Sequence, residues 1–151
     1  MIELRNLSKS FRAANGAPPS HVLRNVNLTV PEGCLYGLIG PGAAGKSVLL
    51  KMITGLMKPD TGSVKVAGEE VTQMSELRLQ EFRLKFGMLF QNNALFDHLT
   101  VADNIAFPLR RLYSLAETEV ASRVSERLTC VALPGFETRF PGGLSGGQKK
   151  R

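Results

Sequence analysis

Two stretches near the start of the chain carry apolar residues at spaced positions between polar ones. Residues 2–11 hold Leu4, Leu7 and Phe11, and residues 22–30 hold Val22, Val26, Leu28 and Val30; both read as strands. Between them, Ala13 to Ser20 is a loop of Pro, Gly and Asn, and Pro31-Glu32-Gly33 is a tight turn. The pattern then changes. Cys34 to Ile39 is apolar without interruption, as expected of a strand buried on both faces. From about Lys46 to Leu56 a helix follows, apolar at Val48, Leu49, Leu50, Met52 and Ile53, too many for one exposed face, so it is expected at the centre of the fold.

Further on, Lys58–Gly62 is a turn, and Ser63–Ala67 alternates like a strand with one wet face. A short charged helix is predicted from Ser75 to Arg83, then an apolar strand from Phe86 to Phe90, with Glu69-Glu70 in a turn. Thr100 to Asp103 and Ser114 to Glu117 have the spacing of capping boxes and predict two helix starts. The second helix runs to about Val131, before Pro134-Gly135, and Pro141-Gly142-Gly143 reads as a hinge.

One stretch carries chemistry. Gly40-Pro41-Gly42-Ala43-Ala44-Gly45-Lys46-Ser47 fits the pattern G-x-x-x-x-G-K-[ST], between a predicted strand and a predicted helix. Small residues let backbone N–H groups converge on phosphate oxygens. The helix start adds its dipole and unpaired N–H groups. Lys46 supplies a point charge to the β and γ phosphates, and Ser47 offers a hydroxyl to Mg²⁺. Gly40 to Val48 is therefore expected to bind a nucleoside triphosphate.

Composition narrows the setting. The 151 residues are 43% hydrophobic and 21% charged, an ordinary soluble balance. No apolar run approaches the roughly 20 residues of a membrane span. The N-terminus lacks the pattern of a secretory signal. Cys34 and Cys130 fit no metal spacing and are expected as reduced, buried residues in a reducing compartment. The net charge of +6 suits phosphates or an anionic membrane face, but the only tight basic cluster is Lys149-Lys150-Arg151. No basic stripe interleaved with aromatics points to nucleic acid.

Leu144-Ser145-Gly146-Gly147-Gln148 then gives the P-loop a family context. With it the chain resembles ABC-type ATPases from about Ile2 to Arg151. The motifs run in that family's order: P-loop, a strand ending in Gln91, a helical stretch, then LSGGQ. The resemblance implies an α/β fold: a P-loop NTPase of the ABC type, present in part. Its parallel core sheet would carry an antiparallel β subdomain and a helical subdomain at 92–148. It implies ATP and Mg²⁺ as ligands, with Ser47 and Gln91 near the metal. Gln91 would also touch the attacking water and link the site to membrane subunits. Phe11 stands where the family places an aromatic that stacks on adenine; a plain core Phe is the competing reading. Leu144–Gln148 would face the ATP held by a second copy, in a head-to-tail dimer. Ser145 would also cap the helix that starts there. His21 and His98 precede the signature, so neither matches the family's switch histidine, and surface loops are expected for both.

Gly87–Asp97 (GMLFQNNALFD) and Leu99–Arg110 (LTVADNIAFPLR) look like the ATPases of Mla- and Mce-type phospholipid transporters, as does Pro41–Leu50. The implied partners are integral membrane permease subunits and an Mce-type substrate-binding protein, with the chain on the cytoplasmic face of the cell membrane. ATPases of amino-acid or lipoprotein transporters share much of this pattern, and a nucleotide-binding chain without hydrolysis is the other alternative. No apolar run closing on Asp-Glu follows the signature, so Arg151 is expected to be a truncation within a domain of roughly 250 residues. On that reading the chain as given hydrolyses ATP negligibly. It also folds poorly, because Cys34–Ile39 lacks a neighbouring strand.

Overall fold

The computed structural model describes residues 1–12 and 18–151, which leaves most of the predicted Ala13–Ser20 loop outside the described residues. The chain divides into two compact units, Met1–Gly87 and Met88–Arg151.

The first unit is built on two long strands. β1 spans Ile2–Phe11 and β2 spans Ser20–Val30, paired antiparallel from Ile2–Val30 to Phe11–Ser20. β3 (Thr61–Val66) pairs with the other edge of β1, and β4 (Glu69–Glu70) extends β3. The order is β2-β1-β3-β4, every neighbour antiparallel. Two helices complete the unit, α1 (Lys46–Ile53) and α2 (Glu76–Arg83). Ser75 caps α2 through its hydroxyl, which accepts the Arg78 N–H. Leu4, Leu7 and Val64 of the sheet meet Leu49, Met52 and Ile53 of α1 and Leu79 and Phe82 of α2 in one buried core.

Several expectations are corrected here. Cys34–Ile39 forms no strand, and Leu35 and Ile39 are fully exposed. The described residues offer no strand beside it, so its apolar side chains have nothing to pack on. Phe86–Phe90 is likewise not a strand. Its first residue is drawn back into the α2 turn: the Phe86 N–H donates to Arg83 O, and its ring meets Phe82 edge-on at 4.9 Å. The sheet among the described residues is therefore antiparallel, and the parallel ladder expected of both runs does not form. α1 is not buried all round, since Leu50 lies 48% exposed. Cys34 and Cys130 are exposed rather than buried. Cys34 opens the unpaired Cys34–Ile39 segment, and Cys130 ends a helix on its wet side. Glu69-Glu70 is a short strand, because its backbone reaches Lys65 and Val66. His21 lies in β2, where its Nδ1 pairs with the Ser10 hydroxyl at 2.8 Å; it is exposed, but not in a loop.

The second unit is helical: α3 (Val101–Leu112), α4 (Glu117–Cys130) and the short α5 (Gly146–Lys150), with a 3₁₀ turn at Pro141–Gly143 where a hinge was expected. Pro141 is buried there, which anchors the segment. Thr100 caps α3 as predicted, accepting the Asp103 N–H. The next two first-turn donors are met by a loop: Val101 N–H and Ala102 N–H donate to Arg139 O and Glu137 O. Ser114 does not cap α4. The helix begins two residues later than the box requires, with Ala116 at the cap position, and Glu117 turns instead to Arg110. Val101 and Ala106 of α3, Val120, Val124 and Leu128 of α4, and Leu133 and Leu144 form the core.

Arg110 ties α3 to α4. Its Nε and Nη2 donate to the Glu117 carboxylate and its Nη1 to Asp103. The Arg110 hydrogen bonds hold Glu117 below the usual carboxylate range; Asp103 is held down first by the Thr100 hydroxyl and then by Arg110. The stabilisation is therefore fully present above the unfolded carboxylate pKa and is lost as pH falls through the depressed folded values. Thermal melts of the wild type and of Arg110→Ala should differ at pH 7 and converge as the pH is lowered below about 4. The exposed geometry makes this a small effect.

Candidate functional site

The Gly40–Ser47 loop is held at its two ends. At the start, the Ala44 N–H donates to Pro41 O at 3.4 Å, which closes a turn. At the end, Gly45 is the N-cap of α1 with φ +84°. It is also buried, and a Cβ there would stand 2.9 Å from Val22 Cγ1 and 2.8 Å from Leu23 Cδ2. Only glycine meets both demands, left-handed backbone and no side chain against β2. Ala43 also has positive φ, at 62°. Gly40, Pro41, Gly42 and Ala44 are exposed, and nothing within 4 Å crowds a Cβ at Gly42.

Lys46 Nζ donates to Gly40 O and Pro41 O, each at 2.7 Å. The ammonium therefore lies across the mouth of the loop. No side chain caps α1, and its first turn carries no acidic residue. The first-turn N–H groups thus stay available to an anion, with the helix dipole favouring negative charge. Ser47 is exposed at the second helical position, and Val48, half-buried, packs against the core. Phe11 ends β1, 37% exposed, opposite Ser20 of β2. Since Val22 lies two residues beyond Ser20, β2 carries Phe11 at one position and the wall of Gly45 about 7 Å further along.

In the second unit Gln91 is exposed in a run of turns, followed by Asn93 and Ala94 at positive φ (61° and 55°). Leu144 is buried in the core of this unit. Ser145 caps α5 in a full capping box: its hydroxyl accepts the Gln148 N–H at 3.2 Å, and the Gln148 side-chain oxygen accepts the Ser145 N–H at 2.8 Å. Gly146 and Gly147 form the exposed first turn. Sequence reading anticipated Ser145 as a cap but not Gln148 as its partner.

Asn104 was missed altogether. From within α3 its side chain accepts the Phe96 N–H at 2.8 Å and donates to Phe96 O, Leu99 O and Thr100 O at 2.9–3.2 Å. This one amide fixes the Phe96–Thr100 segment that follows the Gln91 turns. An Asn inside a helix, where it is a weak helix former, was the available signal. Asn104→Ala should destabilise the second unit by about 2 kcal/mol, read as a shift in denaturant midpoint at constant slope.

Among the described residues no group of three or more His, Cys, Asp or Glu converges as a metal site.

The family model for ABC transporters matches residues 23–151, and the chain belongs to that family. The "probable ribonucleotide transport ATP-binding protein mkl" of Mycobacterium tuberculosis is 42% identical over 150 residues, covering 99% of this chain and 40% of that protein. The "methionine import ATP-binding protein MetN 2" of Pseudomonas aeruginosa is 42% identical over 151 residues, covering all of this chain and 44% of that one. The chain thus spans less than half the length of these relatives. A dimeric ATP-binding cassette in a post-hydrolysis state with ADP and Pi superposes with a TM-score of 0.89 at 31% identity, covering 99% of this chain and 65% of that one. The fold is accordingly that of an ABC ATPase cassette, present in part.

Proposed function

We propose that the chain is the nucleotide-binding portion of an ABC transporter's ATPase subunit, with Met88–Arg151 containing its helical subdomain. The observation that carries this reading is the α1 N-terminus: uncapped, without acidic residues, and faced by Lys46 and a loop of exposed small residues. Lys46 and the loop amides would hold the β and γ phosphates, and Ser47 would ligate Mg²⁺, which neutralises charge on the phosphates when bound. Phe11 would stack on adenine. Gln91 would orient water, and Leu144–Gln148 would complete the nucleotide site of a second copy. Dimeric solved cassettes with this fold support a pair of copies, and a head-to-tail arrangement would bring Leu144–Gln148 of one copy to the P-loop of the other. Hydrolysis is then a property of the complete, paired cassette.

For the transported molecule, the reading is phospholipid, supported by Gly87–Asp97 and Leu99–Arg110. The partners would be permease subunits in the cell membrane and an Mce-type protein, with this subunit peripheral on the cytoplasmic side. No helix among the described residues is long and apolar enough to cross a membrane itself. A methionine-import role is the second reading, favoured by the MetN relative. Affinity purification from native membranes separates them. Recovery of an Mce-type protein with a permease supports the lipid reading, and recovery of an amino-acid permease overturns it.

A further inference from the structure

Asp60 lies just before β3, and both its carboxylate oxygens are in use. Oδ2 accepts the Ser10 backbone N–H and Oδ1 accepts Lys9 Nζ, each at 2.7 Å. The Asp60 N–H in turn donates to Ser8 O at 2.9 Å. The β1–β3 ladder ends at the Ser8–Thr61 pair, so β3 provides no backbone partner for the last three residues of β1. The carboxylate stands in for the missing strand. On its other edge this segment is still paired with β2, through Lys9–Leu23, Ser10–His21 and Phe11–Ser20. Lys9 shares a strand face with Phe11, its ammonium 5.8 Å from the ring centre, near the outer limit of a cation–π contact. Asp60 therefore grips both the backbone next to Phe11 and the side chain beside its ring. The Lys9 hydrogen bond, and then the Ser10 N–H, hold its carboxyl below the ordinary range, so it is ionised at neutral pH.

We propose that Asp60 is a positioning residue for the base-binding face of Phe11, so that recognition of the purine by residue 11 depends on a side chain at position 60, 49 residues away in sequence. The inference rests on the reading of Phe11 as the adenine-stacking residue. A residue that acts only through Phe11 affects ligands with a base and not ligands that are phosphate alone.

The test compares the affinities of the full chain for ATP and for inorganic tripolyphosphate, by calorimetry with Mg²⁺, in Asp60→Ala, Asp60→Asn, Phe11→Ala and the Asp60→Ala/Phe11→Ala double variant. Loss of base stacking is worth roughly tenfold in affinity. Phe11→Ala and Asp60→Ala should each weaken ATP by about that factor and leave tripolyphosphate within about twofold, and the double variant should lose little more than either single one. If Phe11→Ala weakens ATP while Asp60→Ala does not, the inference is wrong and the Phe11 reading stands. If Phe11→Ala has no effect on ATP, the Phe11 reading fails and takes the inference with it. Should Asp60→Ala weaken both ligands through loss of fold, Asp60→Asn decides. That variant keeps an acceptor for Ser10 but loses the Lys9 ion pair. A loss confined to ATP supports the proposal, and a parallel loss overturns it.

Discussion

Alanine at Gly45 should unfold the first unit more readily and remove its affinity for nucleotide together. Two costs act at one carbon. The backbone sits at φ +84°, where an L side chain is strained by about 1–2 kcal/mol. The new methyl would also approach Leu23 Cδ2 to 2.8 Å, Val22 Cγ1 to 2.9 Å and Val22 O to 3.2 Å. Overpacking of this kind adds about 1–3 kcal/mol, because β2 is clamped to β1 and cannot retreat freely. The sum, about 2–5 kcal/mol, is a large share of the stability of a small domain. A thermal melt reads the first effect and ATP titration the second. Gly42→Ala is the control, since nothing lies within 4 Å of its added Cβ and its φ is not in the left-handed region. Equal damage from both substitutions would show that the tight β2 contact is not the cause.

Lys46→Ala should separate binding from folding. The ammonium is half-buried at the loop and donates to two carbonyls, yet it belongs to no core cluster. Its removal should leave the melting temperature within a few degrees of the wild type. The affinity for ATP should fall by roughly two orders of magnitude, about 3 kcal/mol, because a charge-assisted contact to phosphate is lost where the remaining donors are neutral amides. Lys46→Arg should restore only part of it, since a planar fork does not reproduce a point charge. Unchanged ATP affinity in Lys46→Ala would remove the loop from the nucleotide site.

The sequence made the loop, the helix after it and the cap at Ser145 legible, because each depends on residues within a few positions of one another. The motif before α1 needs only Gly40, Gly45, Lys46 and Ser47 at their spacing, and the cap needs only Ser145 and Gln148. Cys34–Ile39 and Phe86–Phe90 depend instead on partners far along the chain. A continuous apolar run says that a strand could be buried, but burial requires a neighbour; the lack of one beside Cys34–Ile39 was legible in the missing run closing on Asp-Glu, whereas the loss of both strands themselves was not. Ser114 failed as a cap because Arg110, seven residues before Glu117, competes for the same carboxylate. Asp60 was visible only as a turn residue, and its bond to Ser10 spans fifty positions. Within the candidate site, residue types were readable and second partners were not.

The order of the strands has a kinetic consequence. β1 and β2 are close in sequence and can zip as a hairpin on the microsecond scale once both exist. The other edge of β1 must wait for Thr61–Val66, so at roughly 5–20 residues per second the hairpin stands half-paired for a few seconds during synthesis. The bulges between Leu4 and Ser10, and the left-handed turns at Asn6 and Asn25, make that hairpin irregular along its length. Irregular edges resist pairing with a neighbouring chain. The distortions thus protect the nascent protein during the interval in which its first strand has only one partner.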